Sequence, residues 1–157
     1  MFEELLEPIK AGEFELKQKL RDLGYIVKDV SNEPAYWHKD IDLLVTDTQR
    51  HIEMSMEVKY DKLMAQTGNL FVESKNPRST NGAGWLKFCQ ADLLAYGDAV
   101  NEVFYCFSFP KFKDYINDFK KSLTECRTPD GACGYLVSLD HILAVLPYQT
   151  IYLKEEF

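Results

Sequence analysis

The segment from Lys39 to Lys59 constrains the fold more than any other part of the chain. We expect strands over Ile41–Val45 and His51–Lys59, joined by the polar turn TDTQR. In the second stretch apolar and polar side chains alternate, as they do along a strand. This alternation places on one face Ile52, Met54, Met56 and Val58, and on the other Glu53, Ser55, Glu57 and Lys59. The segment therefore predicts a β-hairpin with one buried and one polar face.

Two carboxylates and a lysine meet at one corner of this hairpin if its strands pair. Asp42 heads the first strand, and Glu57 and Lys59 end the second. Mg²⁺ prefers carboxylate and carbonyl oxygens, so we predict a metal site formed by Asp42, Glu57 and the carbonyl of Val58. In phosphodiester hydrolysis Lys59 would orient or deprotonate the attacking water, or neutralise charge on the scissile phosphate. The alternative is an ordinary exposed ion pair at a strand end.

The segments on either side of the hairpin carry further candidates. The first predicted helix offers Glu13 or Glu15 as an additional carboxylate, and the two point in different directions on a helix. After the hairpin, Glu73, Gln66 and Asn69 flank the expected site and are accessory candidates. Each of the three also has a plain structural interpretation, as a strand-end or turn residue.

The charge distribution is uneven along the chain. The net charge is -7, which is unusual for a nucleic-acid binder, but residues 58–90 carry +3 and leave -10 for the rest. We expect this basic stretch to contact phosphates, and a solvated surface of mixed charge is the alternative. The candidate nucleic-acid-binding residues are Lys62, Lys75, Arg78 and Lys87.

The remaining pattern predicts one α/β domain over residues 1–157 with a central mixed sheet flanked by helices. Besides the hairpin we expect a helix over 2–23, broken near 8–12 and ended by Gly24, with Leu16, Leu20 and Leu23 on its apolar face. Strands are expected over 25–30, 69–73, 102–109 and 134–139, and the 69–73 strand should lie beside the 51–59 strand. A loop over 74–84, a segment over 85–96 that ends helically and a helix over 111–126 complete the prediction.

Composition excludes several other classes of protein. Hydrophobic residues make up 46% and charged residues 27%, as in globular domains. No stretch approaches the roughly 20 apolar residues that span a bilayer, and the acidic start predicts no signal peptide. Four cysteines without a CxxC pair predict mostly buried, reduced thiols in a cytoplasmic protein and no zinc site.

Several stretches between Gly12 and Gly97 resemble the PD-(D/E)XK nuclease superfamily, close to archaeal Holliday-junction resolvases and small phage-borne nuclease-like proteins. They are GEFELKQKLRDLGYIVKDVS, DIDLLV, MEVK, TGNLFVE and GWLKFCQADLLAYG. The resemblance implies a restriction-endonuclease-like core and DNA cleavage with Mg²⁺ or Mn²⁺. It also implies Asp42, Glu57 and Lys59 as motif residues and Glu13 as the helix glutamate.

The chain departs from this family pattern in two ways. Ile41 stands where the family motif often has proline, and the net charge is acidic where resolvases are strongly basic. The preferred interpretation is a metal-dependent DNA endonuclease. The alternatives are a catalytically silent nuclease-fold module, such as an acidic protein-interaction or DNA-mimic protein, and a chance surface pair in an unrelated protein. Many such nucleases are homodimers because two strands need two cuts, but no self-complementary feature of the sequence predicts a dimer.

Overall fold

A computed structural model describes residues 2–79 and 82–154, with side chains from residue 11 onward. Helix α1 covers Phe2–Asp22 without a break at residues 8–12, and it ends before Gly24, whose φ of 98° is left-handed. The helices that follow are α2 (Pro34–Trp37), α3 (Met64–Thr67), α4 (Trp85–Phe88), α5 (Phe109–Phe119) and α6 (Leu139–Val145). The strands are β1 (Ile26–Asp29), β2 (Leu43–Asp47), β3 (Ile52–Asp61), β4 (Asn69–Lys75), β5 (Leu93–Asp98), β6 (Val103–Ser108), β7 (Thr124–Arg127), β8 (Cys133–Ser138) and β9 (Gln149–Tyr152).

The strands form two sheets. The larger one has the order β1-β2-β3-β5-β6-β9, and the smaller one has the order β4-β8-β7. In the larger sheet β3 and β5 are parallel and the other neighbours are antiparallel. The predicted α/β class, with a central mixed sheet flanked by helices, is confirmed. The smaller sheet was not predicted.

The two faces of the larger sheet have separate apolar cores. One core lies between this sheet and α1 and contains Leu16, Leu20, Val27, Leu43, Val45, Met56, Val58, Ala95 and Phe104. The other lies between the sheet, the smaller sheet and α4, α5 and α6, and it contains, among others, Leu44, Leu70, Val72, Trp85, Leu94, Tyr96, Phe107, Phe112, Val137 and Ile142. Because β3 side chains alternate, Met56 and Val58 face α1 while Glu57 and Lys59 face the other way. The predicted division of this strand into two faces is therefore confirmed at its second half.

The position of β4 corrects the expectation that Glu73 lies on a strand beside β3. Strand β4 belongs to the smaller sheet, and β5 occupies the place next to β3. A parallel pair needs a long crossover, and β4 is part of the crossover from β3 to β5. The turn at Gly68, with φ of 70°, leads the chain into the second layer.

Three other expectations about local structure were wrong. The 85–96 segment begins as a helix, α4, and ends as a strand, β5, which is the reverse of the predicted order. Its apolar residues form a buried central strand, and this burial overrides their helix propensity. The helix expected to reach Cys126 ends at Phe119, since residues 124–127 pair with β8 as β7. Leu23, expected on the buried face of α1, is 58% exposed because it follows the last helical turn. No described helix combines the length and the apolar character needed to cross a membrane.

Candidate active site

Asp42 is fixed where the β2–β3 ladder ends. The last paired residues are Leu43 and Met56, and the Asp42 backbone N–H still donates to the carbonyl of Met56 at 3.0 Å. Beyond that point the Asp42 side chain, and not a backbone carbonyl of β2, is the acceptor for β3. Asp42 Oδ2 accepts a hydrogen bond from the Val58 N–H at 2.9 Å. Asp42 is thereby held against the segment that carries Glu57 and Lys59.

Glu57 and Lys59 form a close ion pair on the face of β3 that points away from α1. Lys59 Nζ lies 2.8 Å from Glu57 Oε1, and the Glu57 side chain is 4% exposed against 31% for Lys59. Glu57 Oε2 is buried and has no hydrogen-bond partner. The Lys59 ammonium also lies 5.3 Å from the ring centroid of Trp85, and this contact places Trp85, a core residue that is 8% exposed, beside the corner.

Charge at this corner is unbalanced. Burial raises the pKa of Glu57 to about 9, and the negative charges of Asp42 and Asp40 add to the rise while Lys59 opposes it. Burial lowers the pKa of Lys59, but the carboxylates of Glu57, Asp40 and Asp42 outweigh that effect and raise it above its usual value. Lys59 therefore stays an ammonium, and the carboxyl groups around it outnumber the one positive charge.

Glu13 lies on the side of α1 that approaches this corner. It is half-buried, and burial together with the charges of Asp42 and Asp29 raises its pKa to about 7, while Lys17 and Lys59 act in the opposite direction. Glu15 is exposed and interacts electrostatically with Tyr60 instead. Of the two carboxylates that the sequence left open, Glu13 is the one within electrostatic reach of Asp42.

Asp40 belongs to this corner although sequence analysis did not select it. Burial raises its pKa, and the charges of Lys59 and Asp42 act on it. Its φ of 57° is left-handed, a conformation that aspartate tolerates better than most residues. The available signal was the first aspartate of DID, two residues before Asp42.

The donor set at the corner suits a hard cation with few protein ligands. Among the side chains that the structure describes, no three Asp, Glu, His or Cys residues are grouped to hold a metal ion. Mg²⁺ is commonly bound through one or two carboxylates with water and substrate oxygens completing the shell. The unpartnered Glu57 Oε2 fits such an ion, with Asp42 as the second carboxylate.

The accessory candidates lie on α3 and β4 and not on the strand that carries the ion pair. Gln66 is exposed on α3, Asn69 begins β4, and Glu73 Oε1 accepts a hydrogen bond from the Asn76 amide at 3.3 Å. In the described part of the chain none of the three bonds to Glu57 or Lys59. Glu73 nevertheless contributes through its backbone, because a Cβ at Gly84 would overlap its carbonyl oxygen. Glycine at position 84 therefore lets α4 begin close to β4, with Trp85 as its first residue.

The four basic candidates are spread from the end of β3 to α4. Lys75 and Lys87 are exposed, and Lys62 is half-exposed after β3. Arg78 is exposed but lies 3.8 Å from Asp130 Oδ2, across the turn after β7. Residues 80 and 81 of the predicted loop lie outside the described residues. All four cysteines are free thiols; Cys89 is buried and the others are half-buried.

Comparison with known proteins gives one structural similarity. No protein-family model matches the chain, and no curated protein sequence matches it. Among solved structures, the backbone is similar to that of a bacterial homing endonuclease, I-Ssp6803I. The TM-score is 0.47 with 18% sequence identity, over 83% of this chain and 76% of that chain.

Proposed function

We propose that the chain is a single nuclease-like domain that hydrolyses DNA phosphodiester bonds as a Mg²⁺- or Mn²⁺-dependent endonuclease of PD-(D/E)XK type. The observation that carries this proposal is the hydrogen bond from the Val58 N–H to Asp42, which brings two carboxylates and a lysine to one corner. The motif resemblance of Asp42, Glu57 and Lys59 supports it, as does the buried, unpartnered oxygen of Glu57.

Each residue at the corner has a role that follows from its position. Asp42 and Glu57, with the Val58 carbonyl, would hold a divalent cation, which supplies charge for polarising a phosphate and a bound water. The Lys59 ammonium, kept in place by Glu57 and the face of Trp85, neutralises charge on the phosphate or orients the water. Glu13 would assist from α1.

The test is a cleavage panel on single-stranded, duplex, flapped and branched DNA with Mg²⁺, Mn²⁺ or EDTA. Lys59→Ala is expected to reduce cleavage by about 100-fold or more, as is typical when one group that stabilises a transition state is removed. Its DNA affinity in EDTA and its melting temperature should change little. Lys28→Ala, at an exposed lysine on β1, is the matched control. Cleavage by Lys59→Ala at the wild-type rate would refute the proposal.

A second candidate is a catalytically silent nuclease-fold module that binds protein or mimics DNA. It is favoured by the use of Glu57 Oε1 in an ion pair and by the lack of a three-ligand group among the described side chains. The net charge of -7 is also compatible with it. This candidate predicts no divalent-metal-dependent cleavage of any DNA in the panel and no stabilisation of the fold by Mg²⁺ or Mn²⁺.

A further inference from the structure

A basic pocket of about 350 Å³ lies between α4, α5 and the smaller sheet. Its lining residues do not include Asp42, Glu57 or Lys59 of the candidate active site. Leu86 and Ile116 are its apolar lining residues, and its polar lining residues are Ser74, Lys87, Lys113, Asn117, Lys120 and Tyr135. The lysines come from two helices that are distant in sequence. Only the fold brings Lys87 to Lys113 and Lys120.

The three lysines of this pocket are not neutralised by the described part of the protein. None of them forms an ion pair there, whereas Arg78 and Lys59 do. Lys113 donates a hydrogen bond to the Cys89 carbonyl at 2.9 Å and its ammonium lies 4.7 Å from the Phe109 ring centroid, and these contacts fix the side chain.

The acidic residues of α5 lie off the pocket. Lys113, Asn117 and Lys120 lie at helical spacings of four and three, so they share one face, while Asp114 and Asp118 lie on another. No aspartate or glutamate is among the lining residues. The pocket therefore presents hydrogen-bond donors and positive charge without a compensating carboxylate.

We propose that this pocket binds a phosphate group, supplied by the backbone of the nucleic-acid substrate. Ammonium groups with hydroxyl and amide donors around a concave site suit a phosphate, which offers several acceptor oxygens and negative charge. A neutral or cationic ligand would leave the lysines uncompensated. The identification of the phosphate as part of a nucleic acid rests on the proposed nuclease function.

Helix α4 links the pocket to the candidate active site. Trp85 contacts Lys59, and Lys87 lines the pocket, with both residues in the same single turn. One helical turn rises about 5.4 Å, and successive nucleotides of a duplex strand are about 3.4 Å apart along the axis. A strand with one phosphate at Lys59 would reach the pocket within a few nucleotides. The pocket would thus set the register of the strand at the cleavage site.

The test compares two double variants with the same loss of charge. Lys87→Gln with Lys120→Gln removes two pocket lysines, while Lys111→Gln with Lys121→Gln removes two exposed α5-side lysines outside the pocket. Affinity for a labelled duplex of about 20 base pairs is measured in EDTA over a range of salt. The pocket variant should bind about tenfold more weakly, with a salt slope smaller by about 1. The control should stay within about twofold of wild type.

A second arm separates nucleic acid from free phosphate as the source. Amide chemical shifts of Lys87 and Lys120 are followed by NMR during titration with inorganic phosphate and with the same duplex. Shifts with both probes, or with the duplex alone, support a backbone site; shifts with inorganic phosphate alone overturn the assignment to nucleic acid. Equal DNA affinity of the two double variants overturns the proposed site.

These outcomes distinguish a failure of the pocket from a failure of the nuclease proposal. A wild-type protein that binds DNA through Lys87 and Lys120 but cleaves nothing would refute the nuclease activity and keep the pocket. A protein that cleaves DNA but binds it equally well in both double variants would keep the nuclease activity and refute the pocket.

Discussion

The Lys59 ammonium lies 2.8 Å from one carboxylate oxygen of Glu57, while the other oxygen of Glu57 is buried with no hydrogen-bond partner. One lysine cannot satisfy both oxygens of a carboxylate in this environment. A buried carboxylate with an unused oxygen costs folding free energy unless a proton or a cation supplies the missing interaction. The pair therefore couples the stability of the fold to pH, and under the proposed function it would also couple that stability to a divalent metal.

The first prediction concerns pH in the absence of metal. Glu57 has a raised pKa of about 9 in the folded protein, against an ordinary value of 4.5, so the folded state binds this proton more tightly. Its contribution to stability is full below about pH 4.5 and is lost as the pH rises through about 9. Glu57→Gln cannot titrate, so its stability relative to wild type should increase from about pH 5 to about pH 9.

Urea unfolding in EDTA at several pH values measures this difference. Glu53→Gln is the matched control, since Glu53 lies on the same predicted face of β3 but is exposed. Its stability curve should run parallel to that of wild type. A parallel curve for Glu57→Gln as well would show that the Glu57 carboxyl does not titrate abnormally.

The second prediction concerns metal binding without any measurement of cleavage. A ligand at 100 times its Kd stabilises the folded state by about 2.7 kcal/mol, which for a chain of this size is a rise of roughly 5 to 10 °C in Tm. Mg²⁺ or Mn²⁺ should produce such a rise in wild type. Asp42→Asn should lose most of it, because asparagine keeps an oxygen for the Val58 N–H but lacks the charge.

The control for metal binding is again Glu53→Gln, which should retain the full rise in Tm. Monovalent salt at matched ionic strength should not raise the Tm of wild type or of Glu53→Gln by a comparable amount. An equal rise in Asp42→Asn and wild type would place the metal somewhere other than this corner.

The corner itself was predictable because it depends on local rules. Strand alternation puts Glu57 and Lys59 on one face, and the short turn of the hairpin brings Asp42 opposite them. These are contacts between residues close in sequence, so the pattern of apolar and polar residues is enough. The preference for Glu13 over Glu15 came from family resemblance and stays a prediction, although Glu13 lies within electrostatic reach of Asp42.

The second layer was not predictable in the same way. Sequence pattern identified a strand at Asn69–Glu73 but not its partner, which is β8, more than sixty residues later. The pairing depends on burying Leu70 and Val72 against α5 and α6, and short-range pattern does not contain that information. The basic pocket was missed for the same reason, because Lys87 and Lys120 meet only after this layer has formed.

The third prediction compares the two tryptophans of the chain. Trp85 is 8% exposed and packs on Phe109 and Phe112, while Trp37 is 65% exposed. Trp85→Ala should lower the free energy of unfolding by about 3 to 5 kcal/mol through loss of buried surface and a residual cavity. Trp37→Ala should change it by less than about 0.5 kcal/mol. Chemical unfolding followed by circular dichroism measures both, and similar values for the two variants would contradict the burial of Trp85.

The fourth prediction concerns the hydroxyl that ties the two sheets together. Tyr96 on β5 donates to Asp61 Oδ2 at 2.8 Å and accepts from the Phe71 N–H on β4 at 3.1 Å. Tyr96→Phe keeps the ring but takes the hydroxyl from two half-buried polar groups, the Asp61 carboxylate and the Phe71 N–H, so stability should fall by about 1 to 3 kcal/mol. Hydrogen exchange at the Phe71 amide should accelerate by more than exchange in β1, on the far edge of the larger sheet. Tyr152→Phe, at a 46% exposed tyrosine of β9, should leave both measurements unchanged, and an equally small effect of Tyr96→Phe would mean that apolar packing alone holds the smaller sheet in place.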